Sequence, residues 1–189
     1  RDIYSMTGEK LEDGLRYAYD KFGVEGTTVI CRSNKNANQY NQHIRRRIFF
    51  AEDELGVGDY LMIVRNNYFW LPKESNIGFM ANGDFVEITK IIRYEELYGF
   101  RFADVRVRFV DYPDAEELET KIMLDTLHSD SPALPADQNK KLYEEVLQDY
   151  MDIANKRERA KELKKNPYLN ALQVKFAYAL TCHKAQGGQ

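Results

Sequence analysis

Apolar side chains fall at helical spacing near the start of the chain. Leu11, Leu15, Ala18 and Phe22 form one stripe, Thr7 suits an N-cap before it, and Gly23 stands where a glycine ends a helix. Residues 27–31 (TTVIC) are a short, β-branched, unbroken apolar run, the pattern of a strand buried on both faces of a parallel sheet. Arg32, Ser33 and Asn34 break that run, and residues 35–49 return to helical spacing through Ala37, Tyr40, Ile44 and Ile48. Helix, buried strand, polar turn and helix in this order predict an α/β layout.

After Ala51 the texture changes. Glycines at 56, 58, 78 and 83 punctuate strand-like runs at 60–64, 85–92, 103–110 and 121–127. Val105, Val107 and Phe109 alternate with Arg106 and Arg108, the period of a half-exposed strand. Several short strands with glycine turns predict a small antiparallel barrel or sheet. A loop at 129–135 leads to one long helix with the stripe Leu142, Val146, Tyr150 and Ile153, basic at 156–165 and stopped by Pro167. Residues 172–180 (LQVKFAYAL) read as a further strand, and 181–188 as a polar turn. Strand-to-turn segments at both ends around a β-rich middle suggest one α/β domain interrupted by an insertion.

Composition narrows the class. The 189 residues, 43% hydrophobic and 30% charged, suffice for one domain or one domain with an insertion. With a mean hydropathy of -0.60 and no apolar run near ~18 residues, a membrane span is not expected. No signal peptide opens the sequence, and two cysteines, Cys31 and Cys182, fit reduced thiols in the cytoplasm. Zinc spacing is absent. The chain starts at Arg1 and stops at Gln189 without a closing element, which reads as a piece of a longer protein.

The net charge of -3 argues against a nucleic-acid partner only as an average. Residues 32–47 hold Arg32, Lys35, Arg45, Arg46 and Arg47, six Asn or Gln side chains, and no acid. Phosphate suits such a patch. A solvated helix face is the better account of Arg46 and Arg47, whereas Arg32 directly follows a strand, at the edge where α/β proteins bind ligands. There a guanidinium can clamp phosphate and stabilise charge during phosphoryl transfer.

Residues 181–189 again follow a strand and offer Thr181, His183, Lys184, Gln186 and the paired Gly187 and Gly188. No acid or serine at triad spacing makes His183 a general base. Cys182 and His183 are expected to point to opposite sides of an extended segment. Tyr68, Phe69 and Trp70 could stack on unpaired bases, or at least one could be core. The Asn82-Gly83-Asp84 sequence is a turn signal. No Walker A phosphate loop occurs, so this chain alone is expected not to hydrolyse ATP.

At these residues the chain resembles superfamily 1 DNA helicases, most closely the RecD-like branch that moves 5′ to 3′. Residues 29–34 (VICRSN) look like helicase motif IV, and 179–187 (ALTCHKAQG) like motif V. The Gly58-Asp59, Arg65-Asn66-Asn67-Tyr68 and Asn82-Gly83-Asp84 pattern is similar to an SH3-like module that RecD-like enzymes insert in their second RecA-like motor domain. The UvrD relatives carry Lys where Gln186 stands and Glu where Gln189 stands. The resemblance implies that Arg32 is catalytic and reaches the ATP γ-phosphate, that Arg32, Gln186, Gly187 and Gln189 bind ATP, and that Ser33, Asn34, Thr181, His183 and Lys184 bind DNA. It places a first RecA-like domain and the Walker A loop outside this chain.

The resulting expectation is an α/β fold: a RecA-like parallel-sheet domain (1–50 and 167–189) interrupted by a small SH3-like antiparallel β module (51–128) and a loop with a long charged helix (129–166). The expected function is part of a cytoplasmic ATP-dependent DNA helicase, a hydrolase of the P-loop fold class serving DNA repair. ATP and Mg2+ would bind only in the full-length protein, with no metal site in this chain. Its partners would be single-stranded DNA, the missing first motor domain and exonuclease or repair subunits, and no membrane. The alternatives are a non-catalytic protein- or nucleic-acid-binding module and a subunit of a RecD-type exonuclease complex.

Overall fold

The structure, a computed structural model, describes residue 3, residues 5–75 and residues 77–186. Two compact units divide the chain, one built from 1–54 with 177–186 and the other from 55–176.

In the first unit, helix α1 (Leu11–Phe22) buries Leu15 and Tyr19 and ends at Gly23, whose φ of 70° and N–H bond to the Tyr19 carbonyl close the last turn. Strand β1 (Val29–Cys31) leads through Ser33, whose Oγ accepts from the Asn36 N–H as an N-cap, into α2 (Asn34–His43). The helix runs on as a π-helical turn (Ile44–Ile48). At the far end of the chain, β7 (Ala179–Thr181) leads into the four-residue helical turn α5 (Cys182–Ala185). Strands β1 and β7 pair in parallel, with Val29 opposite Ala179 and Cys31 opposite Thr181. This two-stranded sheet buries Cys31 but leaves Ile30 52% exposed, so β1 is not covered on both faces as its unbroken apolar run predicts.

Asn41 decides how β7 is held. Its side chain donates to the Ala179 carbonyl (3.0 Å) and accepts from the Ala179 N–H (2.7 Å). A parallel strand bonds its neighbour with alternate residues, and here the Val29 N–H meets the Tyr178 carbonyl. The Ala179 groups face away from β1, and the buried Asn41 amide satisfies both as a further strand would.

The second unit is a closed five-stranded barrel of β2 (Tyr60–Ile63), β3 (Phe85–Leu97), β4 (Phe100–Phe109), β5 (Leu118–Met123) and β6 (Leu172–Phe176). Consecutive strands from β2 to β5 that pair do so antiparallel, and β6 closes the barrel, antiparallel to β2 and parallel to β5. Leu61, Ile63, Val86, Ile88, Val105, Val107, Ile122 and Val174 are fully buried. The β3–β4 hairpin turns at Tyr98 and Gly99, both at positive φ (57° and 72°), as a tight two-residue turn requires. Two helices complete the unit, α3 (Ala136–Gln148) and α4 (Lys156–Leu163), whose Leu142, Val146 and Leu163 pack with Phe100, Phe102 and Met123.

The expected RecA-like parallel sheet carrying an SH3-like antiparallel module and a long helix is therefore overturned. A mixed barrel and a separate two-stranded parallel sheet stand in its place. The reason lies in residues 172–180, whose continuous apolar pattern predicts one strand. Ala177 and Tyr178 interrupt it, so 172–176 close the barrel and only 179–181 pair with β1. The single long helix is likewise two, because residues 149–155 turn and Asn155 starts α4 by accepting from the N–H groups of Arg157 and Glu158.

Candidate phosphate edge and base-stacking cleft

In the first unit the chain leaves β1 and β7 at the same end of a parallel pair. Arg32 follows Cys31, and Cys182 follows its register partner Thr181. Two segments about 150 positions apart in sequence thus emerge side by side at the carboxyl ends of parallel strands, where backbone and side-chain donors can converge on a ligand. Arg32 is exposed and its guanidinium makes no hydrogen bond or ion pair among the described residues. Ser33 is also exposed, but its hydroxyl is engaged in capping α2, and Asn34 is half-buried in the first turn of that helix.

Thr181 is half-buried and precedes α5 without a side-chain capping bond. His183 is exposed; Lys184 is half-buried, and burial pulls its ammonium below the ordinary lysine range. Cys182 and His183 lie on a helical turn, not on an extended segment, so the expectation of opposite-facing side chains does not apply to them. The Cys182 thiol donates to the Cys31 carbonyl (3.5 Å), and burial pushes the Cys31 thiol up. Gln186 is exposed with its N–H on the Cys182 carbonyl; Gly187 and Gln189 lie outside the described residues. No group of three His, Cys, Asp or Glu that could hold a metal ion occurs among the described residues.

The acid-free segment 32–47 splits into two kinds of residue. Arg32, Lys35, Arg46 and Arg47 are exposed. Arg45 is 2% exposed and donates to the Asp53 carbonyl (3.1 Å), so it serves the interior. Asn41, counted with the phosphate-facing amides in the sequence, is the strand-pairing group described above.

The second unit carries a cleft of about 330 Å³ lined by Arg65, Asn66, Tyr68, Lys164 and Asn170 among others. Tyr68 is 71% exposed and stacks on Phe79 at a centroid distance of 4.9 Å and an interplanar angle of 25°. Its neighbours are anchored. Asn67 Oδ1 accepts from the N–H groups of Phe69 and Trp70, and the Asn67 amide and the Trp70 indole N–H both donate to the Asn170 carbonyl (2.8 Å each). Of the three aromatics read from the sequence, Phe69 and Trp70 are half-buried and Tyr68 faces outward. Arg65 bonds Asn139 (2.9 Å), and the exposed Lys164 ammonium has no partner among the described residues. Phe79, Lys164 and Asn170 are absent from the sequence reading because nothing local marks them; only the barrel brings them to Tyr68. The Asn82-Gly83-Asp84 turn forms as its sequence predicts, with Gly83 at φ 109° and Asp84 accepting from the Ala81 N–H (2.7 Å).

No protein-family model matches the chain, and no curated protein sequence matches it. Chemically, the strand-end edge offers guanidinium, hydroxyl, imidazole and ammonium groups suited to phosphate. The barrel cleft offers an exposed ring beside two cations, the combination that holds single-stranded nucleic acid.

Proposed function

We propose that this chain is part of a cytoplasmic ATP-dependent DNA helicase or translocase, supplying one face of an ATP cleft and part of the single-stranded DNA grip. The observation that supports it is the parallel register of β1 and β7, which sets Arg32 beside the segment from Thr181 to Lys184. The reading needs that phosphate-binding edge and does not need a larger parallel sheet. ATP with Mg2+ belongs to the full-length protein. There Arg32 would clamp the terminal phosphate and stabilise charge building on it. Gln186, Gly187 and Gln189 would face the nucleotide, while Asn34, Thr181, His183 and Lys184 would hold the DNA backbone, reading no bases.

A second reading, a non-catalytic single-strand-binding module, is favoured by the Tyr68–Phe79 stack beside Arg65 and Lys164. Two substitutions separate them. In the whole protein, Arg32→Ala should abolish DNA-stimulated ATP hydrolysis while oligothymidine binding persists, and near-normal turnover would overturn the motor. In this chain, Tyr68→Ala should weaken oligothymidine binding by about 5- to 100-fold, the loss of one base stack. If only Tyr68→Ala has an effect, the binding-module reading stands instead.

A further inference from the structure

On the barrel unit, a second cleft of about 460 Å³ opens between the loop after Trp70 and the turn joining β4 to β5. Its floor and walls are apolar: Phe109 is buried beneath it, and Leu71, Ile77 and Leu118 are half-buried at its sides. Its rim is acidic, with Glu74 on one lip and Glu116 and Glu117 on the other. The side chains of Glu74 and Glu116 make no hydrogen bond or ion pair among the described residues. Glu117 has a distant contact with Arg106 (4.0 Å), whose guanidinium is engaged by Glu119 (2.7 Å), and also feels the charge of Arg108, which is engaged by Glu87. Among the described residues no basic side chain lines the cleft; Lys73, next to Glu74 in sequence, is not among its walls.

We propose that this groove docks a short segment of a partner protein in which bulky apolar side chains are flanked by lysine or arginine. The apolar walls leave hydrocarbon surface that such side chains would cover, and the size suits a bound peptide anchor. The carboxylates on both lips attract cations and repel acidic partners, so charge fixes which segment enters. The same charges exclude nucleic acid, which separates this surface from the Tyr68 cleft and makes the proposal independent of the motor reading.

The test is fluorescence anisotropy with the full chain and a labelled probe peptide, Lys-Lys-Leu-Phe-Lys-Lys, at low salt. Binding should weaken at least fivefold when the Leu-Phe core is replaced by Ala-Ala, and should disappear when the lysines are replaced by glutamates. The triple variant Glu74→Gln, Glu116→Gln, Glu117→Gln alters exposed side chains and should keep the thermal midpoint of the parent while weakening the probe at least fivefold. In methyl-labelled chain, the resonances of Leu71, Ile77 and Leu118 should shift on titration. Equal binding of the Ala-Ala peptide, undiminished binding to the triple variant, or shifts confined to other methyls would each overturn the proposal. Shifts of the Leu71, Ile77 and Leu118 methyls on titration with oligothymidine alone would do so too, since they would make the groove a nucleic-acid surface.

Discussion

Asn41 shows how one side chain can complete a sheet. With Leu in its place, the Ala179 N–H and carbonyl would stay buried without partners, and each such loss costs about 1–3 kcal/mol. Asn41→Leu should therefore lower stability by about 2–5 kcal/mol in urea unfolding, although leucine is the better helix former; an unchanged midpoint would contradict the pairing. Lys175 makes a prediction in pH. It is 6% exposed, donates to the Thr126 and Ser129 carbonyls, and burial pulls its pKa down to about 8, with Asp130 opposing. Between about pH 8 and the unfolded value of 10.5, the unfolded chain holds a proton that the folded chain has released, so stability rises with pH across that window. From pH 7.5 to 9.5 the chain should gain about 2 kcal/mol relative to Lys175→Met. Parallel pH profiles for the two proteins would show that Lys175 keeps its charge. Neither Asn41 nor the equally buried Arg45 is legible as structural in the sequence, where both look like ligands because amide and guanidinium side chains are usually exposed.

At the scale of elements, the local signals were readable and the partners were not. The Gly23 stop, the Ser33 turn and the alternation along β4 appear as their patterns predict, whereas the α1 stripe holds only in part: Leu15 is buried, but Phe22 is 56% exposed and Tyr19 is buried instead. The helix after Pro135 shows the limit. Tyr150 and Ile153 continue the spacing of Leu142 and Val146, yet the chain turns at 149–155 and restarts with an asparagine cap. Periodicity registers which positions are apolar, and a turn that keeps them in phase leaves no mark on it. Because the restart rests on Asn155, Asn155→Ala should destabilise the chain by about 1 kcal/mol, whereas Asn155→Asp should be near neutral. Thermal melts of the two variants check this, and equal losses would assign the cost to something other than the cap.

For the whole molecule, the alternation of texture along the chain, with α/β character at both ends and strands between, was legible, but the sheet to which each strand belongs was not. Strand β6 is apolar at Leu172, Val174 and Phe176 and would suit either environment; what commits it to the barrel is the pairing with β2 and β5, a long-range choice. The candidate edge was visible as two polar turns after strands, while the Tyr68 cleft needed the fold, since Lys164 and Asn170 lie about 100 positions from Tyr68 in sequence.

The placement of β6 and β7 also bears on the order of events during synthesis. Barrel closure pairs residues near 61 with residues near 176, and the small sheet pairs 29 with 179. Both must await β6 and β7 to leave the ribosome, so until then β1 and the β2 and β5 edges are open templates for wrong pairing. High contact order of this kind makes for slow folding. A chain ending at residue 170 should accordingly emerge in the void volume on size-exclusion chromatography; a soluble, cooperatively melting monomer would mean that the barrel can close without its final strand.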